Sequence, residues 1–187
     1  MRIVLMGPPG AGKGTQAALL ENKYNLIHLS TGEILRKEIK EDSSLGHQAK
    51  TFMDKGQLVP DTLLLEMMER RLKNPDCDGG YLLDGFPRTI PQAEGLAVSL
   101  DKLDLSLDYA ISLFADELEL VYRLVLRGKN SGRSDDTPDV IRDRQHIYWE
   151  HTAPVLDFYR SKGLLKEIDG IGSIDEVFTR IVDVVEK

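Results

Sequence analysis

Gly7-Pro8-Pro9-Gly10-Ala11-Gly12-Lys13-Gly14-Thr15 is the stretch that decides the fold. It follows directly on Ile3-Val4-Leu5-Met6, an apolar run that reads as a buried strand. The residues behind it, Thr15 to Leu20, read as a helix. Strand, glycine-rich turn and helix make the context that a phosphate-binding loop requires. The glycines let the backbone curl so that successive N–H groups face one concavity, and the helix N-terminus adds partial positive charge there. Lys13 supplies a mobile full charge for the outer phosphates of a nucleotide. The pattern is GxxxxGK, yet Gly14 follows the lysine and the hydroxyl comes one place later, on Thr15. The usual hydroxyl ligand of Mg²⁺ is therefore shifted, which leaves the ion more to phosphates and water. A GxGxxG dinucleotide fingerprint fails, because Gly10-x-Gly12 is followed by Gly14 and Thr15 at the wrong spacing. The plainer alternative, a turn that is glycine-rich by accident, leaves Lys13 and the flanking pattern unexplained.

Composition narrows the class. A chain of 187 residues, 41% hydrophobic and 29% charged, suits one α/β domain with a proper core. A net charge of −7 without runs of like charge argues against a nonspecific nucleic-acid binder. Cys77 is alone, which excludes intramolecular disulfides and a cysteine zinc cluster and fits a reducing compartment. Residues 1–6 enter a core strand at once, leaving no room for a signal or transit peptide. No apolar run approaches the ~20 residues of a membrane span. These features predict a soluble, cytoplasmic protein, with an organelle lumen as the alternative where a presequence has been removed.

Apolar runs alternate with helical patterns, which predicts βαβ units and an α/β fold: a doubly wound, five-stranded parallel sheet with helices on both faces. The strands fall at 2–6, 26–29, 80–84, 109–114 and 164–168. Ser30 and Glu33 make a capping box that opens a helix to about Lys40. Further helices are expected over 44–54, from Pro60-Asp61 to Leu72, from Thr89 to Leu100, from Asp116 to Arg127, and from Thr137-Pro138 to Ser161. Ser173 and Glu176 cap the last helix, whose Ile174, Val177, Ile181, Val184 and Val185 make one apolar face. Gly128 to Thr137 is polar and reads as a mobile loop. The three helical patterns between strands two and three are more than one crossover needs, and suggest a small lobe hinged at glycines.

Two further segments carry chemistry. Asp84-Gly85-Phe86-Pro87-Arg88 lies at the C-terminal end of a strand, where ligands of such sheets bind. Asp84 fits the carboxylate that positions Mg²⁺ through water beside a phosphate loop; capping the next helix is its alternative. Arg88 is placed to clamp a phosphate bidentately. Arg36, Arg88, Arg123, Arg127, Arg133, Arg142 and Arg144 fall on segments bordering the loop or the polar stretch. Any one alone reads as a surface charge, but the set suits phosphoryl transfer, which needs positioned cations and exclusion of water.

Taken together, GPPGAGKGT at 7–15, LSTGEILR at 29–36, GQLVPD at 56–61, LLDGFPRTIPQAE at 82–94 and RGKNSGRSDD at 127–136 resemble the adenylate kinase family in its short-lid form, over the whole chain. The resemblance implies the reaction Mg·ATP + AMP ⇌ 2 ADP. It also implies a P-loop core (1–29, 60–126, 138–187), an AMP-binding lobe at 30–59 and a lid at 127–137. By position, Gly10, Ala11, Gly12, Lys13, Gly14 and Thr15 would hold the ATP phosphates, with Arg127 and Gly172 also on ATP. Thr31, Arg36, Gln57, Leu58, Val59, Gly85, Phe86, Pro87, Arg88 and Gln92 would hold AMP. Arg133 and Arg144 would clamp phosphates in the closed state. Lys13, Arg88, Arg127, Arg133 and Arg144 would be the catalytic set. Gln92 offers the donor and acceptor that adenine's N1 and N6 require, though without its position four past Arg88 it would read as a solvated helix residue. Thr31 has helix capping as its alternative. His28, His47, His146 and His151 are given structural or surface roles. Asp135 and Asp136 either order a closed lid or solvate it. Glu33 stands where many relatives carry Asp. The lid is too short for a zinc-binding subdomain, so Mg²⁺ with ATP is expected and zinc is not. The implied partners are ATP, AMP and ADP, with no nucleic acid or membrane, and the implied state is a monomer.

UMP/CMP kinases share the loop, the GFPR segment and the short lid, but usually differ at Thr31, Thr89 and Gln92. A nucleotide-gated switch or transport ATPase module is the other alternative. It lacks an Asn-Lys-x-Asp guanine reader here and leaves the GFPR segment and Gln92 without a purpose.

Overall fold

The computed structural model describes residues 1–131 and 134–186, with the backbone alone at 130, 131 and 134. Five strands form one parallel sheet: β1 (Arg2–Met6), β2 (Ile27–Ser30), β3 (Tyr81–Asp84), β4 (Tyr109–Phe114) and β5 (Leu165–Asp169). Their order is β2-β3-β1-β4-β5, so β1 lies at the centre. The chain moves to one side of β1 and then to the other, and the carboxyl ends of β1, β3 and β4 open on the crevice where such sheets bind ligands. Three of the strands begin one residue later than the sequence predicts.

The apolar run of β1 is explained by burial on both faces. Ile3 and Leu5 point to one side, into a core shared with Leu20 of α1 (Lys13–Tyr24) and Ile181 of α9 (Ile174–Val185). Val4 and Met6 point to the other, into a core shared with Met68 of α4 (Asp61–Leu72), Leu96 of α5 (Ile90–Lys102) and Tyr159 of α8 (Pro154–Ser161). The period of two along a strand thus divides one sequence run between two layers of helices. On α9, Val177 and Ile181 are buried and Ser173–Glu176 closes a full capping box, while Ile174 lies exposed at the helix start.

Between β2 and β3 the chain forms α2 (Thr31–Lys40) and α3 (Ser44–Met53), packed on each other, before α4. After β4, Asp116 Oδ1 accepts from Glu119 N at 2.9 Å and opens α6 (Glu117–Ser131). Here the structure departs from expectation: Gly128 belongs to that helix, and Ser134–Asp136 forms a 3₁₀ turn. A Cβ on Gly128 would lie 2.7 Å from the Asp136 carbonyl oxygen, so glycine serves close packing there. The single helix expected from Pro138 to Ser161 is also divided. Between α7 (Pro138–Ile147) and α8 runs a π-helical turn, Tyr148–Thr152. Pro154 has no N–H for the ladder and its ring crowds the preceding turn, which widens the helix just ahead of it. No helix among the described residues is long and apolar enough to cross a membrane.

Candidate active site

The loop between β1 and α1 wraps one end of a cleft of about 490 Å³ at the carboxyl edge of the sheet. Gly10 and Gly12 hold φ of 90° and 91°, the left-handed region in which a side chain is strained. Gly10, Gly12, Lys13, Gly14 and Thr15 line the cleft. Ala11 does not: its side chain is buried in the core and its N–H donates to the Pro8 carbonyl at 3.2 Å. Lys13 Nζ donates to the carbonyls of Gly7 (2.7 Å) and Pro8 (3.0 Å). Burial pulls its ammonium from 10.5 to about 8, against the opposing charge of Asp84 and with the help of Arg88, Arg144 and Arg127.

Asp84, at the end of β3, sits across from Lys13. Burial pushes its carboxyl up, but the neighbouring His28 and the charges of Lys13 and Arg88 outweigh burial and hold it below the usual carboxylate range. His28 Nε2 stands 3.4 Å from Asp84 Oδ2, and pairing with that carboxylate raises the imidazole pKa despite burial. His28 therefore braces a site residue from β2, while His47, His146 and His151 pair with carboxylates at the surface. Capping of α5 is not Asp84's role, because Thr89 Oγ1 accepts from Gln92 N at 3.2 Å.

The turn after Asp84 contains a cis Phe86–Pro87 peptide bond. The Gly85 carbonyl accepts from Thr31 Oγ1 at 2.9 Å and from Arg88 Nε at 2.7 Å, which aims the Arg88 guanidinium into the cleft. Burial, with Arg144 nearby, lowers Arg88 to about 10. Gly85 and Pro87 line the cleft, whereas Phe86 is packed into the core. A smaller cavity of about 70 Å³ adjoins, lined in part by Thr31, Arg36, Gln57, Leu58, Val59 and Arg88. Thirty-one is the first helical position of α2 and Ser30 is the cap, so the Thr31 hydroxyl is left for Gly85.

Helices α6 and α7 supply the opposite wall. Arg123 donates to Glu119 Oε1 (2.6 Å) and to the Gly170 carbonyl (3.1 Å) and borders the cleft. Arg127 grips Asp136 with Nε at 2.6 Å and Nη2 at 2.7 Å. Arg144 Nη1 reaches the same carboxylate at 2.8 Å and the Asp135 carbonyl at 2.8 Å. The Asp136 side chain is 0% exposed, so of the two expectations the ordering one describes it. Gln145 ties α7 to the loop, donating to the Pro9 carbonyl at 2.9 Å. Arg142 is a surface charge paired with Asp139. Arg133 lies outside the described residues.

Six basic side chains line the cleft (Lys13, Arg36, Arg88, Arg123, Arg127 and Arg144), against the carboxylates of Glu33 and Asp84. That balance attracts several phosphates in a protein whose overall charge is −7. Gly172 lies in the loop after β5, outside the cleft lining, and Gln92 is fully enclosed behind Arg88. Arg123 has a signal in the sequence, one helical turn before Arg127. Tyr148 and Thr152, which also line the cleft, have none, since the π-helical turn that orients them follows from Pro154.

Parallel sheet, glycine loop and basic cleft together define a P-loop protein built to hold phosphate chains. A family model described as Adenylate kinase matches residues 5–164. The chain is 47% identical to the adenylate kinase of Stenotrophomonas maltophilia (strain K279a) over 186 residues, covering 100% of both chains. It is 45% identical to that of Leptospira biflexa serovar Patoc (strain Patoc 1 / Ames), covering 97% of each. It is 46% identical to that of Kocuria rhizophila, covering 100% of this chain and 99% of the relative. The chain belongs to the adenylate kinase family.

Proposed function

We infer that this protein transfers the γ-phosphoryl group of Mg·ATP to AMP, giving two ADP. The observation that carries the reading is the facing of Lys13 and Asp84 by Arg88, Arg127 and Arg144 across one cleft, with a second cavity adjoining on the α2 side. Two phosphate chains meeting end to end need that arrangement: cations around the transferring group and a separate pocket for the acceptor's base.

On this reading the loop backbone and Lys13 hold the β- and γ-phosphates, and Arg123 and Arg127 border the donor nucleotide. Arg36 and Arg88 hold the AMP phosphate, whose oxygen attacks the γ-phosphorus in line, and Arg144 spans the two. Charge spreads over the equatorial oxygens in the transition state and these cations stabilise it, so no side chain serves as nucleophile. Mg²⁺, when bound with ATP, would neutralise negative charge on the phosphates. Asp84, a cleft-lining carboxylate held below its usual range, is the residue that would hold the ion. Among the described residues no three His, Cys, Asp or Glu side chains are grouped to hold a metal by themselves.

The acceptor site comprises Thr31, the Gln57–Val59 backbone, Gly85 to Arg88 and Gln92. Residues 30–59 act as an AMP lobe and 127–137 as a short lid on the remaining core. The small cavity shares Arg36, Leu58, Arg88 and Arg144 with the main cleft, which places the acceptor's base next to the transferring group on this reading. The protein acts as a monomer in the cytoplasm, which sedimentation and fractionation check.

The test is ADP formation from Mg·ATP with AMP, CMP, UMP or GMP offered separately, beside an ATP-only control. Rapid ADP production with AMP alone is expected. Preference for CMP or UMP overturns the acceptor assignment, and turnover without any monophosphate overturns the phosphotransfer reading.

A further inference from the structure

Asp61 opens α4 and points at the start of α5. Its Oδ1 accepts from Thr89 Oγ1 at 3.0 Å and from Gln92 Nε2 at 2.7 Å, while Gln92 Oε1 accepts from Arg88 N at 2.7 Å. The side chain of Gln92 is enclosed in the fold. A primary amide has two N–H donors and two lone pairs on oxygen, and two of these four valences are thereby spent. One N–H and one lone pair remain for a further partner.

We propose that Asp61 is a specificity-determining positioning residue: it locks the Gln92 amide in one orientation and so selects a 6-aminopurine over a 6-oxopurine. The inference rests on the proposed reading of Gln92 as the residue facing the acceptor base. A carboxylate accepts hydrogen bonds and does not donate. If the amide turned over, Oε1 would face the Asp61 oxygen and Nε2 would face the Arg88 N–H. Both contacts would then be like-with-like. The Thr89 hydroxyl reinforces the lock, because its hydrogen goes to Asp61 and its oxygen is left to accept from Gln92 N.

The locked amide matches adenine, whose N6–H donates to oxygen and whose N1 accepts from N–H. Hypoxanthine and guanine present the reverse, O6 as acceptor and N1–H as donor, and are matched only by the turned amide. Uracil is reversed in the same way. Cytosine offers N4–H and N3 in the same sense as adenine, so the lock does not discriminate against it, and its rejection rests on ring size and position. A residue that merely joined α4 to α5 would show no such division among bases.

The experiment measures kcat/KM for AMP, IMP and CMP with wild type, Asp61→Asn and Asp61→Leu, with thermal unfolding alongside. Asparagine keeps the shape but pairs with either amide orientation, and leucine removes the acceptor. Removing one of two opposing contacts is expected to lower the AMP:IMP ratio by about tenfold or more, with the AMP:CMP ratio held within about twofold. An unchanged AMP:IMP ratio, or equal falls in both ratios, overturns the proposal. If Asp61→Leu does not fold, the isosteric Asp61→Asn decides the question by itself. Wild type without AMP activity would instead overturn the underlying function, which separates the two failures.

Discussion

The carboxylate of Asp136 receives both Nε and Nη2 of Arg127, at 2.6 and 2.7 Å, with no exposure of its own to solvent. The fork geometry fixes the guanidinium plane as well as its position. Arg144 shares the same oxygen at 2.8 Å, so one buried acid sets two of the cations on the cleft wall. Arg144 also meets the Asp135 carboxylate at 3.1 Å, so two acids behind the wall hold the two guanidiniums in place.

Asp136→Ala is therefore expected to lose stability as well as activity. Breaking a buried ion pair by removing one partner costs about 3 kcal/mol or more. In a protein of this size that lowers Tm by roughly 6–12 °C. Calorimetry checks the first effect. A fall of about 100-fold in kcat, with both substrate KM values changing less, checks the second, since misplaced cations act chiefly on the transition state.

Lys13 sets a pH dependence of its own. Its ammonium titrates near 8 in the folded chain instead of at 10.5, because burial beside the loop carbonyls disfavours the charged form. The folded state thus gives up this proton before the unfolded state does, and Lys13's contribution to stability rises with pH between the two values. Binding of an anion follows the opposite course, since it needs the charge. The expected profile of kcat/KM for Mg·ATP falls above pH 8, reporting the free enzyme. The kcat profile should break at higher pH, because bound phosphates raise the lysine's pKa. A shared break in both profiles would show that another group is responsible.

Much of this was legible in the residues. The run Ile3 to Met6 with GxxxxGK behind it dictated a buried strand and a phosphate loop, and the position of Asp84 at a strand end marked the crevice. What escaped depends on contacts between elements far apart in sequence. The Asp61–Gln92 bond joins the first turns of two helices that become neighbours only through packing on one face of the sheet. The burial of Asp136 follows from α6 running on through Gly128, whose lack of a Cβ lets the 3₁₀ turn approach; the polar composition of that stretch read as solvated loop. The approach of His28 to Asp84 was hidden as well, since it follows from the pairing of β2 with β3.

Asp84→Asn is expected to separate metal use from nucleotide binding. The substitution keeps the shape but removes the charge that fits the ion through water. Outer-shell changes of this type cost about 10–100-fold in activity or metal affinity. The Mg²⁺ concentration needed for half-maximal rate should rise, while ATP binding measured in the presence of a chelator changes little. If the chelated-state affinity changes as much as the metal requirement, Asp84 acts on the nucleotide directly.

Gly56 marks the contact through which the α2–α3 region meets α7. Its φ is +68°, and a Cβ there would stand 2.8 Å from Arg144 Cγ and 2.9 Å from Val140 Cγ1. An alanine is strained in the left-handed region by about 1–2 kcal/mol, and the overlap adds to that. If this contact belongs to a closed state that forms over AMP, Gly56→Ala disfavours closure and spares the donor side. The KM for AMP should then rise by about tenfold or more, with that for Mg·ATP nearly unchanged. Arg144 couples the contact to the phosphates, so kcat falls as well. Equal effects on both nucleotides would mean that the substitution disturbs the whole cleft, and a lowered Tm with unchanged KM values would mean that Gly56 serves stability alone.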